Sequence, residues 1–267
     1  MVVPPEIMQA ARDGDVAAVR AWLNAGGDVN DLDHFNDTMI LACVGTPGAP
    51  TTSHTDVLRL LIERGADVNT WGSRYDATDG DIQPGLSALH YACDRIEDVS
   101  ADMVSLLLDA KADVHCRTRD APPEDDEYPE VTPLGRALNH FHLGPAESFP
   151  AILRIVTMLL RAGASLDAVI DNDPADYLLG DLNGRFSNLR DDDTFLQTKD
   201  MIIGVRAAGT WKQYCRRDHK QILRLRSLIA RGRARERLAT SRAMKFIVRQ
   251  GDNGIVWTIL SFWQATN

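Results

Sequence analysis

Cysteine is sparse in this sequence, and a long apolar run is missing altogether. The four cysteines among 267 residues, Cys43, Cys93, Cys116 and Cys215, lie far apart and form no Cys-x-x-Cys pair. That spacing argues against a structural zinc site. It fits a chain kept in a reduced compartment, the cytoplasm or else the nucleus. Without a stretch of about 18 apolar residues, no membrane span is expected. The opening Met1-Val2-Val3-Pro4-Pro5 is short and uncharged, with Glu6 and Asp13 soon after, so it does not read as a secretory signal. Gly-x-Ser-x-Gly, a phosphate-cradling Gly-rich loop and His-Glu-x-x-His are all missing. His140 and His142 have no Cys or carboxylate at ligand spacing, and Asp76–Asp81 lacks the spacing and terminal Glu of a calcium loop. No catalytic residue, no metal ligand and no cofactor is expected.

Charge is unevenly divided. Residues 1–198 carry 14 Lys and Arg against 34 Asp and Glu, a net of −20, whereas residues 199–267 carry 15 against 4, a net of +11. The basic end is read first as docking on, or solvating, the acidic part. An acidic partner, nucleic acid included, is the alternative for it.

What is present in quantity is a repeated phrase. Asn24-Ala-Gly-Gly-Asp-Val-Asn30, Glu63-Arg-Gly-Ala-Asp-Val-Asn69, Asp109-Ala-Lys-Ala-Asp-Val-His115 and Arg161-Ala-Gly-Ala-Ser-Leu-Asp167 each follow an apolar helical stripe such as Val57/Leu60/Leu61. Such units bury their apolar faces by stacking on neighbours. A second phrase precedes some of the stripes: Ser87-Ala-Leu-His-Tyr-Ala-Cys93, Thr132-Pro-Leu-Gly-Arg-Ala-Leu138 and, more weakly, Asp37-Thr-Met-Ile-Leu-Ala-Cys43.

The two phrases in this order resemble the ankyrin repeat. The resemblance implies an all-α fold, an ankyrin-repeat α-solenoid with β-turn fingers, here followed by a C-terminal helical extension. The expected divisions are four repeats with long insertions over 1–170, a degenerate fifth repeat or cap over 171–212, and a basic, aromatic-ended helical tail over 213–267. Helix pairs are expected at 5–12/15–25, 37–44/54–64, 87–94/100–110 and 132–140/148–162, with a decayed fifth pair at 174–179 and 195–207. A further helix is expected over 219–231. The last residues of the repeated phrase, 30, 69, 115 and 167, are 39, 46 and 52 apart, longer than the usual unit of about 33. Segments 45–54 and 140–150, within pairs, and 70–85 and 116–130, in fingers, absorb the excess and read as loops from their Pro, Gly and Asp content. The resemblance also explains His90 as a hydrogen-bonding link between units.

Ankyrin resemblance implies non-enzymatic protein binding, by a scaffold or adaptor that is monomeric on its own. The variable inner-helix position holds Gln9, Leu41, Tyr91 and Arg136, and the fingers add Phe35, Trp71, Arg74, Tyr75, Arg117, Arg119 and Tyr128. Aromatic and Arg side chains dominate interface energetics, so Phe35, Leu41, Trp71, Arg74, Tyr75, Tyr91, Arg117, Arg119, Tyr128 and Arg136 are the expected partner contacts. In the tail, Trp257, Phe262 and Trp263 are expected to pack on the last repeat or on another chain. Residues 252–263 faintly resemble an F-box-like helix that recruits a ubiquitin ligase, although Gly251-Asp-Asn-Gly254 stands where Leu-Pro opens that motif. The tail is also similar to an extension on ankyrin proteins of single-celled algae. A substrate adaptor and a permanent subunit of an assembly are therefore alternatives.

Overall fold

The computed structural model describes residues 2–46, 48–75, 82–95, 97–118, 131–143, 145–166, 192–231 and 256. Two compact units divide the chain, residues 1–203 and 204–267.

The first unit is a stack of helix pairs. Their inner members are α1 (Pro5–Asp13), α3 (Met39–Val44), α5 (Ala88–Cys93) and α7 (Pro133–Leu143). The outer members are α2 (Val16–Asn24), α4 (Thr52–Glu63), α6 (Asp98–Asp109) and α8 (Phe149–Ala162), the last preceded by a 3-10 turn, Ala146–Ser148. Inner helices pack in the row α1–α3–α5–α7, outer helices in the row α2–α4–α6–α8, and each pair packs on itself. The apolar stripes lie between the rows: Val19, Val57, Leu61, Val104, Leu107, Val156 and Leu159 are fully buried. The fold is thus an all-α repeat solenoid.

The repeated phrase ends each outer helix in one way. Its third residue takes a left-handed backbone: Gly26 (φ 97°), Gly65 (86°), Lys111 (69°) and Gly163 (102°). Glycine adopts this conformation freely, while Lys111 bears a cost of about 1–2 kcal/mol there. The Asp that follows folds a tight turn, Asp28, Asp67 and Asp113 each accepting from the N–H two residues on at 2.9 Å. Asn30 and Asn69 then clamp successive turns together: Asn30 accepts from Asp67 N–H and Asn69 from Asp113 N–H, both at 2.8 Å.

Several elements depart from expectation. The finger expected as a loop over 70–85 contains a hairpin, β1 (Trp71–Tyr75) antiparallel to β2 (Ile82–Ser87), pairing Trp71 with Ser87 and Tyr75 with Ile82 around an irregularity at Gly72/Arg74. Helix α4 begins two residues earlier than expected because Thr51 and His54 form a reciprocal cap. Helix α7 runs into the expected insertion, to Leu143. The inner helix expected at 174–179 lies outside the described residues.

The residues expected as the outer helix of a fifth pair, 195–207, lie within helix α9 (Asp193–Ala208), which follows Asp192, whose carboxylate accepts the Phe195 N–H at 2.8 Å. Within the first unit, Phe195 is fully buried and its ring meets Phe141 of α7 at 5.4 Å, with Phe149 of α8 at 4.9 Å from Phe141. In the second unit, α10 (Trp211–Ala230) begins well before the expected 219 and crosses the expected boundary at 212/213. Thr210 caps it, accepting the Gln213 N–H at 3.2 Å. The Tyr214 ring lies so close to Gly204 that no Cβ fits there, and the Arg217 guanidinium sits 4.0 Å from that ring's centroid.

Candidate recognition face

The inner helices and the fingers set the candidate site. On α5, Tyr91 follows His90, and its half-buried ring leans on the end of α3: a Cβ at Gly45 would touch Tyr91 Cε1 at 3.4 Å. Gly72 of β1 closes the other side, where a Cβ would meet Asp37 Oδ1 at 3.0 Å, Leu41 Cδ1 at 3.5 Å and the Tyr91 hydroxyl at 3.6 Å. The tight approaches at the two glycines are to the Leu41 carbonyl, 2.8 Å from a Cβ at Gly45, and to Asp37 Oδ1; the tyrosine stands at ordinary contact distance from both. Leu41, expected to face a partner, is only 3% exposed, and that is a correction to the surface expected from sequence.

Trp71 is half-buried, its ring 5.9 Å from that of His90. The His90 ring is a clasp between units. Its Nε2 stands 2.9 Å from the Val131 carbonyl, so it carries the ring proton, and Nδ1 accepts from the Ser87 hydroxyl (2.8 Å) and Ser87 N–H (3.3 Å). Burial pushes the His90 pKa down to about 4, overcoming the opposite pull of the Val131 carbonyl. The Cys116 thiol lies 3.4 Å from the same Ser87 hydroxyl and 3.8 Å from His90 Nδ1, but burial pushes it up to about 11. A protonated thiol beside a ring committed to a carbonyl holds structure and is a poor nucleophile. His54 repeats the clasp: Nδ1 meets the Thr51 hydroxyl at 2.9 Å and Nε2 the Arg12 carbonyl at 2.8 Å.

Arg136 lies on α7 in the place that Tyr91 holds on α5, each directly before an alanine. Its Nη1 is 3.4 Å from Asp94 Oδ1, and His140, one turn along α7, brings Nε2 to 3.5 Å of the same oxygen. Burial opposes ionisation of Asp94, yet the His140 ring and the Arg136 guanidinium together hold its carboxyl below the usual range.

The remaining expected contacts are dispersed. Phe35 is 51% exposed at the first finger's tip, which Asp33 builds by accepting the N–H groups of Phe35 and Asp37 at 2.8 and 2.9 Å. Arg117 is half-buried beside Thr118, whose N–H donates to the Val131 carbonyl at 3.1 Å. Arg74 and Tyr75 lie on β1, their side chains outside the described residues. Arg119, Tyr128, Trp257, Phe262 and Trp263 also fall outside them; nearby Val256 is helical and fully buried. The structure thus brings Leu41 and the Tyr91 hydroxyl to Gly72, sets Trp71 beside His90, and joins Arg136 to two residues not expected from sequence, Asp94 and His140. His140 was legible as the residue four beyond Arg136 on one helix face.

Among the described residues no group of three or more His, Cys, Asp or Glu is placed to hold a metal ion, and no helix is long and apolar enough to cross a membrane. Compared with known families, residues 7–118 match ankyrin repeats in three copies. No curated protein matches the chain. Ankyrin repeats are protein–protein interaction modules and are generally non-enzymatic.

Proposed function

We propose that this chain, an ankyrin-repeat protein over residues 7–118, binds a protein partner through its inner-helix row and fingers, as a non-enzymatic scaffold or adaptor. The observation that supports this reading is the placing of Tyr91: a large, half-buried ring on the inner-helix row, packed within ordinary contact range of Gly45 and, through its hydroxyl, of Gly72. A ring already held in place loses little rotamer entropy when a partner covers it, which leaves more of its buried area as affinity. Trp71, Phe35, Arg117 and Arg136 extend the surface on either side.

Replacing Tyr91 or Trp71 by alanine should weaken partner binding by roughly tenfold or more while the stack stays folded. Titration calorimetry against the isolated partner checks this, with circular dichroism as the folding control. Unchanged affinity in both variants would move the interface elsewhere. The adaptor reading through the F-box-like segment, the permanent-subunit reading and a nucleic-acid role all rest on the tail, including Trp257, Phe262 and Trp263. The repeats favour the interaction-module reading over these.

A further inference from the structure

We infer that the joint between the third and fourth helix pairs is a hinge, and that His115 is the residue that leaves it free to bend. The two earlier joints each carry a clip at the turn that follows the outer helix. Asn30 accepts the Asp67 N–H at 2.8 Å and donates to the Gly65 carbonyl at 3.2 Å. Asn69 accepts the Asp113 N–H at 2.8 Å and donates to the Lys111 carbonyl at 3.5 Å. One amide does both because its oxygen and nitrogen share a carbon and reach two groups of the same turn at once. His115 holds the corresponding place in the third phrase, and its backbone folds the same turn, its N–H donating to Asp113 at 2.9 Å. Its exposed imidazole makes no hydrogen bond to the fourth turn among the described residues. The two ring nitrogens point apart, so a histidine cannot bridge the N–H and the carbonyl as an asparagine does.

The polar ties that remain at this joint lie mainly along the inner row. His90 donates to the Val131 carbonyl at 2.9 Å, Arg136 and His140 share Asp94, and α5 packs on α7. On the outer row α6 packs on α8, with an exposed ion pair, Arg154 to Asp102 at 2.7 Å, of the kind that contributes little. The third turn is also the strained one, since Lys111 takes the left-handed backbone that glycine takes in the other three. A joint held along the inner row and unclipped at the outer turn bends about the inner row, tilting α7 and α8 against α1–α6. Stacked units interact with their neighbours only, so the bend is confined to the joint where the coupling is weaker. Tyr91 on α5 and Arg136 on α7 stand on either side of it, and the bend sets how far apart they lie.

Distances between pairs of nitroxide labels on the full chain test the hinge, in a background where Cys215→Ser leaves only buried cysteines. The labels replace exposed residues of the outer helices. One pair, Ala21→Cys with Asp109→Cys, spans the first two joints, and the other, Glu63→Cys with Arg161→Cys, spans the second and third. The second pair should give the broader distance distribution. His115→Asn should narrow it to the width of the first pair, because two clip hydrogen bonds lower the bent population by about tenfold. Asn69→His, which removes the clip one joint earlier, should broaden the first pair. Equal widths in the parent, or a second-pair width that His115→Asn leaves unchanged, would overturn the hinge. A first pair indifferent to Asn69→His would do the same, since the clip would then not be what stiffens a joint. No partner enters the measurement, so its failure leaves the recognition face standing, and the binding of Tyr91→Ala and Trp71→Ala bears on that face alone.

Discussion

Phe141→Ala should cost about 3–5 kcal/mol of stability, with the loss concentrated at the α7–α8–α9 end of the stack. Phe141 is 2% exposed, and its ring touches Phe149 at 4.9 Å and Phe195 at 5.4 Å, one aromatic each from α7, α8 and α9. Truncation leaves a void where rigid rings met on two sides, and neither partner ring can slide along its helix to fill it. In a stack stabilised by nearest-neighbour interfaces, that void uncouples the last helix pair from α9 before it reaches α1–α4. Urea unfolding should show a large fall in midpoint, and hydrogen exchange should show faster opening in α8 and residues 193–203 than in α2 and α4. A midpoint within error of the parent would mean that the three rings do not form one core.

Acidification should destabilise the protein through His90, and replacing that residue should remove this share of the pH dependence. The ring is fully buried and neutral, with its pKa lowered from 6.5 to about 4. Between those values the unfolded chain takes up a proton that the folded ring refuses, so stability falls as pH drops from about 6.5 towards about 4 and is unaffected by this ring above that window. At 1.36 kcal/mol per pH unit, the shift is worth about 3 kcal/mol in full. His90→Gln should lower stability at pH 7, since the bonds to Val131 and Ser87 are lost or weakened, and should flatten the curve between pH 6.5 and 4 relative to the parent. Parallel curves would show that His90 is not buried neutral.

The same clasp shows what a sequence can and cannot convey. The phrase Ser87-Ala-Leu-His-Tyr-Ala-Cys93 marks His90 as a link between units because both of its anchor groups are local or repeat-encoded. Likewise the third residue of the repeated phrase keeps one conformation by its place, down to Lys111 adopting the left-handed backbone of Gly26, Gly65 and Gly163. The Phe141–Phe149–Phe195 cluster is illegible, since it joins positions 54 apart that no periodicity relates. The hairpin at 71–87 was hidden by Gly and Asp content typical of loops; backbone pairing across it satisfies those N–H and C=O groups regardless of side chains. Helix α10 starts earlier than the expected 219 because Thr210 with Gln213 is itself a helix-start signal.

On the recognition face, residue type pointed to Tyr91, Trp71 and Arg136, but exposure was beyond reach. Leu41 and Tyr91 hold equivalent positions in their helices, yet the leucine is buried and the tyrosine only half-buried. Asp94 and His140 were not expected at this face, because Asp94 follows the end of α5 and His140 stands where the expected helix 132–140 meets the expected insertion 140–150.

The claim that recognition belongs to the inner row and fingers is tested most directly by hydrogen exchange of the full chain with and without its bound partner. Slowed exchange should be confined to α3, α5, α7 and the fingers at 31–38, 71–75 and 82–87, with α2, α4, α6 and α8 unchanged. Protection running along the outer helices, with the inner row exchanging as in the free chain, would contradict it.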